Sequence, residues 1–320
     1  MAEPRFDVTT LGEMLVRLSV PSGKRLEAAS QLDVYPAGAE ANVATLLARL
    51  ERKTCWVGAL PKNAPGRFAA HALRAAGVET EGVIWKESGR MGTYYVEFGE
   101  PPRGVQVTYD RSHSCTTELH VAEIDWDMLL DTRLLHLTGI TPPLSASCLE
   151  IVMEAIQRAR ECNVPVSFDI NYRQKLWSEA DAAQTLLPLI EDVELLFCNQ
   201  GDAKRLFGCT GPPREIAQRL LETSKARHVV MSVAEEGALL WDGKGWQQEP
   251  ARLTRIVDRL GAGDALAAGV IHGWLENDLA AGLRYGVTLA ALALSQHGDM
   301  VITNKSELLA LCKGSSSLMR

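Results

Sequence analysis

The sequence predicts an α/β fold: a doubly wound, mostly parallel sheet flanked by helices, with a small β-sheet lid. Three observations carry that prediction. Short apolar runs of strand length alternate with segments of helix length along most of the chain, the pattern of βαβ units around a sheet buried on both faces. Two segments, 13–38 and 90–112, are more polar or β-rich and break that alternation. A glycine-rich stretch near residue 260 opens an Ala-rich helix, the form of an anion-binding helix start.

Each element follows from local pattern. A first strand spans 7–11 and runs into Gly12-Glu13. Residues 41–50 form a helix and 54–58 a strand. The helix over 67–76 stops at Gly77, a residue type that accepts the left-handed turn closing a helix. Strands follow at 134–138, 164–170, 194–198 and 228–233, separated by helices over 146–161, 180–190 and 213–223. A strand at 254–257 leads into the glycine-rich loop, and helices over 265–276 and 280–296 complete the body. In the second irregular segment, 93–98 and 105–109 read as strands around a turn over 99–104, a hairpin. Together with the first segment it is expected to form a small antiparallel sheet projecting from the body. No repeat and no Pro/Ser-rich linker divides residues 1–320, so a single domain is expected, with a flexible end over 313–320.

Composition narrows the function classes. The 320 residues carry a net charge of −7 and are 46% hydrophobic, enough apolar material for a sizeable core. An acidic chain argues against bulk nucleic-acid binding, which needs a basic face. No run approaches the length of a membrane helix, and Met1–Asp7 lacks the basic and apolar regions of a secretion leader. The seven cysteines are scattered, with no C-x-x-C pair, so neither a disulfide framework nor a zinc site is expected, and a cytoplasmic location fits.

The chemistry concentrates in Asp258-Arg259-Leu260-Gly261-Ala262-Gly263-Asp264. Small residues let the backbone approach a ligand, and the helix start offers unpaired N–H groups of Gly261, Ala262 and Gly263 to a phosphate. An aspartate there would repel a bound anion. It makes sense as a base that accepts a hydroxyl proton beside the anion hole; a helix cap is the plainer account of Asp264. The dinucleotide G-x-G-x-x-G pattern and the G-x-x-x-x-G-K-[ST] phosphate loop are both absent, which disfavours an NAD-dependent dehydrogenase and a P-loop kinase.

This run resembles the D-x-x-G-A-G-D signature of the ribokinase-like (PfkB) carbohydrate kinases. Gly38-Ala39-Glu40-Ala41-Asn42-Val43-Ala44, Trp56-Val57-Gly58 through Gly66, Asn199-Gln200-Gly201-Asp202 and Ser232–Ala238 resemble further family motifs in the family's order. Within the family, Leu11-Gly12-Glu13, the 138–145 run and Asp169-Ile170-Asn171-Tyr172-Arg173 through Trp177 are similar to 2-keto-3-deoxygluconate kinases. The resemblance implies a ribokinase-like sheet and an ATP- and Mg²⁺-dependent sugar kinase. Asp264 would be its base, with Gly261, Ala262 and Gly263 as the anion hole.

For the sugar acid it implies contacts from Gly12, Gly38, Asn42, Tyr94, Tyr109, Arg111, Ile140 and Arg173. For ATP it implies Asn199, Ser232, Ala234, Gly237, Gly263 and His297, with Mg²⁺ held through water by Asn199 and Asp202. It leaves room for a monovalent cation near Asp258, and it suggests a homodimer paired through the lid sheets. The chain departs from the family pattern at Pro61 and Asn63, and at Ser232 and Ala234 in the nucleotide turn. Two alternatives stand beside the acid kinase: a fructokinase or other ketose kinase, and a catalytically silent sugar-binding protein on the same fold.

Overall fold

The computed structural model describes residues 3–99 and 102–314. The turn expected at 99–104 and the tail expected at 313–320 fall partly outside them.

The chain begins with β1 (Phe6–Leu11), then β2 (Leu15–Ser19) and β3 (Asp33–Ala37). Next come α1 (Ala39–Arg49), β4 (Thr54–Pro61), α2 (Ala64–Ala76) and β5 (Val83–Lys86). A hairpin, β6 (Gly92–Glu97) and β7 (Gln106–Asp110), precedes α3 (Trp126–Leu130) and β8 (Thr132–Thr138). The middle of the body is α4 (Ala146–Glu161), β9 (Val166–Asp169), α5 (Glu179–Leu189), β10 (Leu195–Asn199), α6 (Gln200–Phe207), α7 (Pro213–Ser224) and β11 (His228–Ser232). β12 (Ala238–Trp241), β13 (Trp246–Glu249), α8 (Ala262–Leu275), α9 (Leu279–Leu294) and α10 (Lys305–Cys312) complete it.

The main sheet has nine strands in the order β13-β12-β11-β10-β9-β8-β1-β4-β5. From β11 to β5 the pairings are parallel; β12 and β13 join antiparallel at one edge. Successive strand residues point to opposite faces, and the apolar runs divide accordingly. Leu135, Leu196 and Val229 face one layer with Ile151, Ile156, Leu186 and Ile216. Their neighbours Leu134, Leu195 and Val230 face the other, with Leu46, Leu47, Ala268 and Ile271. α8 lies close on α9 because a Cβ at Gly269 would stand 2.3 Å from the Gly286 nitrogen, and one at Gly273 would stand 2.2 Å from Gly282 Cα.

The second sheet, β3-β2-β6-β7, is drawn from the two irregular segments. It is not wholly antiparallel, as the sequence suggested. β2 and β6 pair in parallel, Arg17 beside Tyr94, and each carries its own hairpin partner. Two segments far apart in sequence meet at the middle, which hairpin signals do not reveal.

The strand expected at 254–257 is also absent. Residues 251–260 are irregular, and the Val257 and Asp258 N–H groups donate to the Leu294 carbonyl at the end of α9. Thr254, Ile256 and Val257 have strand-forming side chains, yet Leu253 and Ile256 are exposed. Tertiary position overrides that local preference.

Candidate active site

Ligand sites of open parallel sheets form beyond the carboxyl ends of the strands, and Gly12, Ile140, Asn199 and Ser232 of the predicted residues fall at such ends. Thr138 is in register with Asp169, and Asn199 with Ser232. Gly12 follows β1 directly, and Ile140 lies buried just after β8.

α8 begins at Ala262, three residues before the expected start, so Asp264 sits in its first turn. Gly261 precedes the helix with φ 81 and supplies no side-chain cap. A Cβ there would stand 2.3 Å from the Asp299 carbonyl, whereas a Cβ at Gly263 would meet nothing within 4 Å. The helix start is therefore uncapped and opens onto free space at Gly263, which suits an anion.

Asp264 is not a capping residue here. Asn42 Nδ2 donates to its Oδ2 at 2.7 Å, and among the described residues no donor reaches Oδ1. Burial pushes the Asp264 carboxyl up to about 6; the Asn42 hydrogen bond and the Arg173 charge act against that, and Asp299 adds to it. Asp169, at the end of β9, is raised to about 7 by burial and then by the Asp264 charge. Its Oδ1 accepts from the Asn171 N–H at 3.1 Å, with Asn171 itself at φ 40.

Asn42 is held by the start of α1. Gly38 precedes that helix at φ 149, and a Cβ there would stand 2.4 Å from the Glu13 carbonyl. Glu40 is buried one residue beyond Ala39 and takes hydroxyl hydrogen bonds from Thr138 and Thr141, both at 2.7 Å. Burial raises its carboxyl to about 7. Its carboxyl occupies the space where a Gly12 side chain would project, 2.1 Å from the Cβ position. A side chain at 12 would have to displace this carboxyl from its two threonine hydrogen bonds.

A cavity of about 320 Å³ joins lid and body. Val107, Tyr109 and Arg111 line it from the lid side, and Tyr172, Arg173, Lys175 and Arg205 from the body. Three predicted substrate residues, Tyr109, Arg111 and Arg173, therefore meet. Sequence reasoning missed Lys175 and Arg205. Lys175 lies inside the quoted Asp169–Trp177 run, and Arg205 follows Asp202 by three residues on α6; only the fold brings them together. Lys175 Nζ also donates to the Val107 carbonyl at 2.6 Å, tying body to lid.

Arg111 is buried and paired with Glu13: Nε donates to Oε2 at 2.8 Å, Nη2 reaches the same oxygen, and Ser114 Oγ donates to Oε1. Glu13 had no assigned role in the sequence, although it stands next to Gly12. Tyr94 is not among the residues that line this cavity. Its ring lies 5.6 Å from that of Tyr109, but its hydroxyl donates to Asp299 Oδ2 at 2.7 Å.

The nucleotide-side predictions divide. Ser232, Ala234 and Gly237 share the turn between β11 and β12, where the Val233 N–H donates to the Gly237 carbonyl at 2.8 Å. Ala234 has φ 45, a left-handed conformation that glycine takes without penalty. Ala234→Gly is expected to stabilise the fold by about 1 kcal/mol; a urea midpoint that stays put or falls would rule out strain at this turn. His297 is exposed, and its ring packs edge-on against Phe98 of the lid at 5.1 Å.

Asn199 Oδ1 caps α6 by accepting from the Asp202 N–H at 2.8 Å, and its Nδ2 donates to Asp202 Oδ2 at 2.6 Å. The pair is thus a helix cap with a first-turn acid. Asp202 is buried, which raises its carboxyl, and Asp169 feels its charge. Carboxylates that repel one another in a desolvated site fit a divalent cation held through water, and Asp202 and Asp169 are the groups here that suit it. Asn63 at the departure from the family pattern caps α2, accepting from the Gly66 N–H at 3.1 Å.

An uncapped helix start, a desolvated aspartate and a cationic cavity on this sheet are the parts that phosphoryl transfer to a hydroxyl calls for. The chain matches the pfkB family carbohydrate kinases over residues 5–306 and belongs to that family. It is 34% identical over 309 residues to the 2-dehydro-3-deoxygalactonokinase of Haloferax volcanii, covering 96% of this chain and 97% of that one. The crystal structure of 2-dehydro-3-deoxygluconokinase from Thermotoga maritima overlays with a TM-score of 0.91 at 32% identity, covering 97% of this chain and 98% of that one. An Escherichia coli structure holding ATP and Mg²⁺ shares the fold, with a TM-score of 0.87 at 22% identity and coverage of 97% and 99%. Among the described residues no helix is long and apolar enough to cross a membrane.

Proposed function

We propose that this chain transfers the γ-phosphate of ATP to the 6-hydroxyl of a 2-keto-3-deoxy sugar acid, 2-keto-3-deoxygluconate, releasing ADP and the 6-phosphate. The observation that carries this reading is the cavity that sets Tyr109 and Arg111 opposite Arg173, with four cationic side chains on its wall. Such a wall suits a carboxylate and a transferring phosphate, because guanidinium groups bind both with paired N–H bonds.

Arg111 and Tyr109 take the acid end, and Gly12, Gly38 and Asn42 face the hydroxyls. Asp264 accepts the hydroxyl proton as that oxygen bonds to the γ-phosphorus and the bond to the ADP oxygen breaks. Asn42 keeps Oδ2 engaged, which leaves Oδ1 for the proton. Charge growing on the phosphoryl oxygens meets Arg173 and the N–H groups of Gly261, Ala262 and Gly263. Mg²⁺ would neutralise phosphate charge, held through water by Asp202 and Asp169. The lid excludes water, the competing acceptor.

The Glu13–Arg111 pair favours a second reading, a kinase for a neutral ketose such as fructose, since Glu13 already offsets the Arg111 charge. Arg111→Ala separates the two. An acid kinase should lose roughly 10- to 100-fold in KM for the acid with the KM for ATP unchanged. A ketose kinase should keep its sugar KM near wild type even where the unpaired Glu13 lowers the melting temperature, and an unchanged acid KM would end the acid assignment. An ADP-release screen over sugars and sugar acids tests the kinase reading itself, since a silent binding protein would release none.

A further inference from the structure

Arg17 lies on β2 of the lid, yet its guanidinium is sealed inside the molecule with none of its surface exposed. Every nitrogen has a partner. Nε donates to Ser19 Oγ and Nη1 to Asp299 Oδ1, both at 2.7 Å, and Nη2 donates to Asp258 Oδ2. The rings of Tyr35 and Phe98 stand 5.4 and 5.5 Å from Cζ. The two remaining carboxylate oxygens are also taken. Asp258 Oδ1 accepts from the Leu260 N–H at 3.1 Å, and Asp299 Oδ2 from the Tyr94 hydroxyl at 2.7 Å.

A monovalent metal ion near Asp258 would need these oxygens as ligands and would sit against a guanidinium. The residues do not fit it. They do need a cation, because two buried carboxylates without one would be strongly destabilising. The same two aspartates head the segments that shape the anion hole. Asp258 opens the loop that ends in Asp264, and the Asp299 carbonyl lies where a Gly261 side chain would be.

We infer that Arg17 is the built-in cation of this loop: a positioning residue, delivered by the lid, that holds 258–261 against 298–299 and makes turnover independent of any monovalent metal ion. The inference rests on the kinase reading. Displacement of such a loop by an ångström costs on the order of 10²-fold in rate, so Arg17 should act on kcat more than on sugar KM.

The test measures initial rates and melting temperature in K⁺ and in tetramethylammonium at equal ionic strength, for the wild type, Arg17→Lys and Arg17→Met. The wild type should show the same rate and the same melting temperature in both salts. Arg17→Met should lose on the order of 10²-fold in kcat with sugar KM little changed; Arg17→Lys should restore part of the loss. A wild-type rate or melting temperature that climbs with K⁺ overturns the inference, as does a folded Arg17→Met with wild-type kcat. If Arg17→Met does not fold, Arg17→Lys decides by the same kcat criterion. A wild type that turns over no acceptor in either salt fails the kinase reading instead, and the melting temperatures then judge Arg17 alone.

Discussion

Asp264→Asn is expected to lower kcat by about 10²–10⁴-fold, the usual contribution of a positioned base, while sugar binding measured by calorimetry stays near wild type. Asn is nearly isosteric with Asp, and its amide oxygen still accepts from Asn42 Nδ2, now at 2.7 Å from Oδ2. What disappears is the ability to take a proton. The wild-type pH profile should agree. Because burial raises the Asp264 carboxyl to about 6, kcat/KM should rise with pH through that region as the carboxylate forms and level off above it. A variant that keeps wild-type turnover, or a wild type whose rate falls on raising the pH through 6, would remove Asp264 from the role of base.

Gly261→Ala is expected to damage both stability and rate. Its φ of 81 puts an L side chain in the left-handed region, and the new Cβ would stand 2.3 Å from the Asp299 carbonyl. Strain and clash together should cost at least about 2 kcal/mol by urea unfolding. The displaced N–H groups should cost about 10²–10³-fold in kcat, the usual effect of losing an anion-hole donor. Gly263→Ala is the matched control: a methyl there meets nothing within 4 Å, so stability should hold and only the rate should fall. Equal stability losses in both variants would show that the contact with Asp299 is not what requires glycine at 261.

The body of the fold was legible because its elements are long and locally consistent. The helix over 146–161 appears with the expected bounds as α4, its start fixed by Ser145 and its period by a buried apolar stripe. Gly77 ends α2 where the sequence placed the end, in a left-handed conformation. Gly261, Gly263 and Asp264 could be singled out because small residues, a helix start and an out-of-place acid fall within seven positions.

What escaped depends on residues distant in the chain. Nothing near Arg17 marks it as buried, since its partners come from the other end of the sequence. Arg111 could be singled out as a carboxylate ligand, but Glu13, which orients it, could not be paired with it. The Phe98 ring against His297 could not be foreseen, because a helix end with a following glycine says nothing about which neighbour lies across from it. The apparent strand at 254–257 rested on β-branched residues alone, a preference that packing readily overrides.

The parallel pairing of β2 with β6 has a consequence for how the molecule assembles. Parallel strands cannot be joined by a tight turn, and here β3, α1, β4, α2 and β5 all intervene. The cover over the sugar cavity therefore has no autonomous nucleus. Its central seam closes only once the first third of the main sheet has brought its ends together, at the slow pace of non-local contacts. A chain with an unfinished body then has no closed cavity in which to hold a sugar, so the ability to engage substrate comes late in folding.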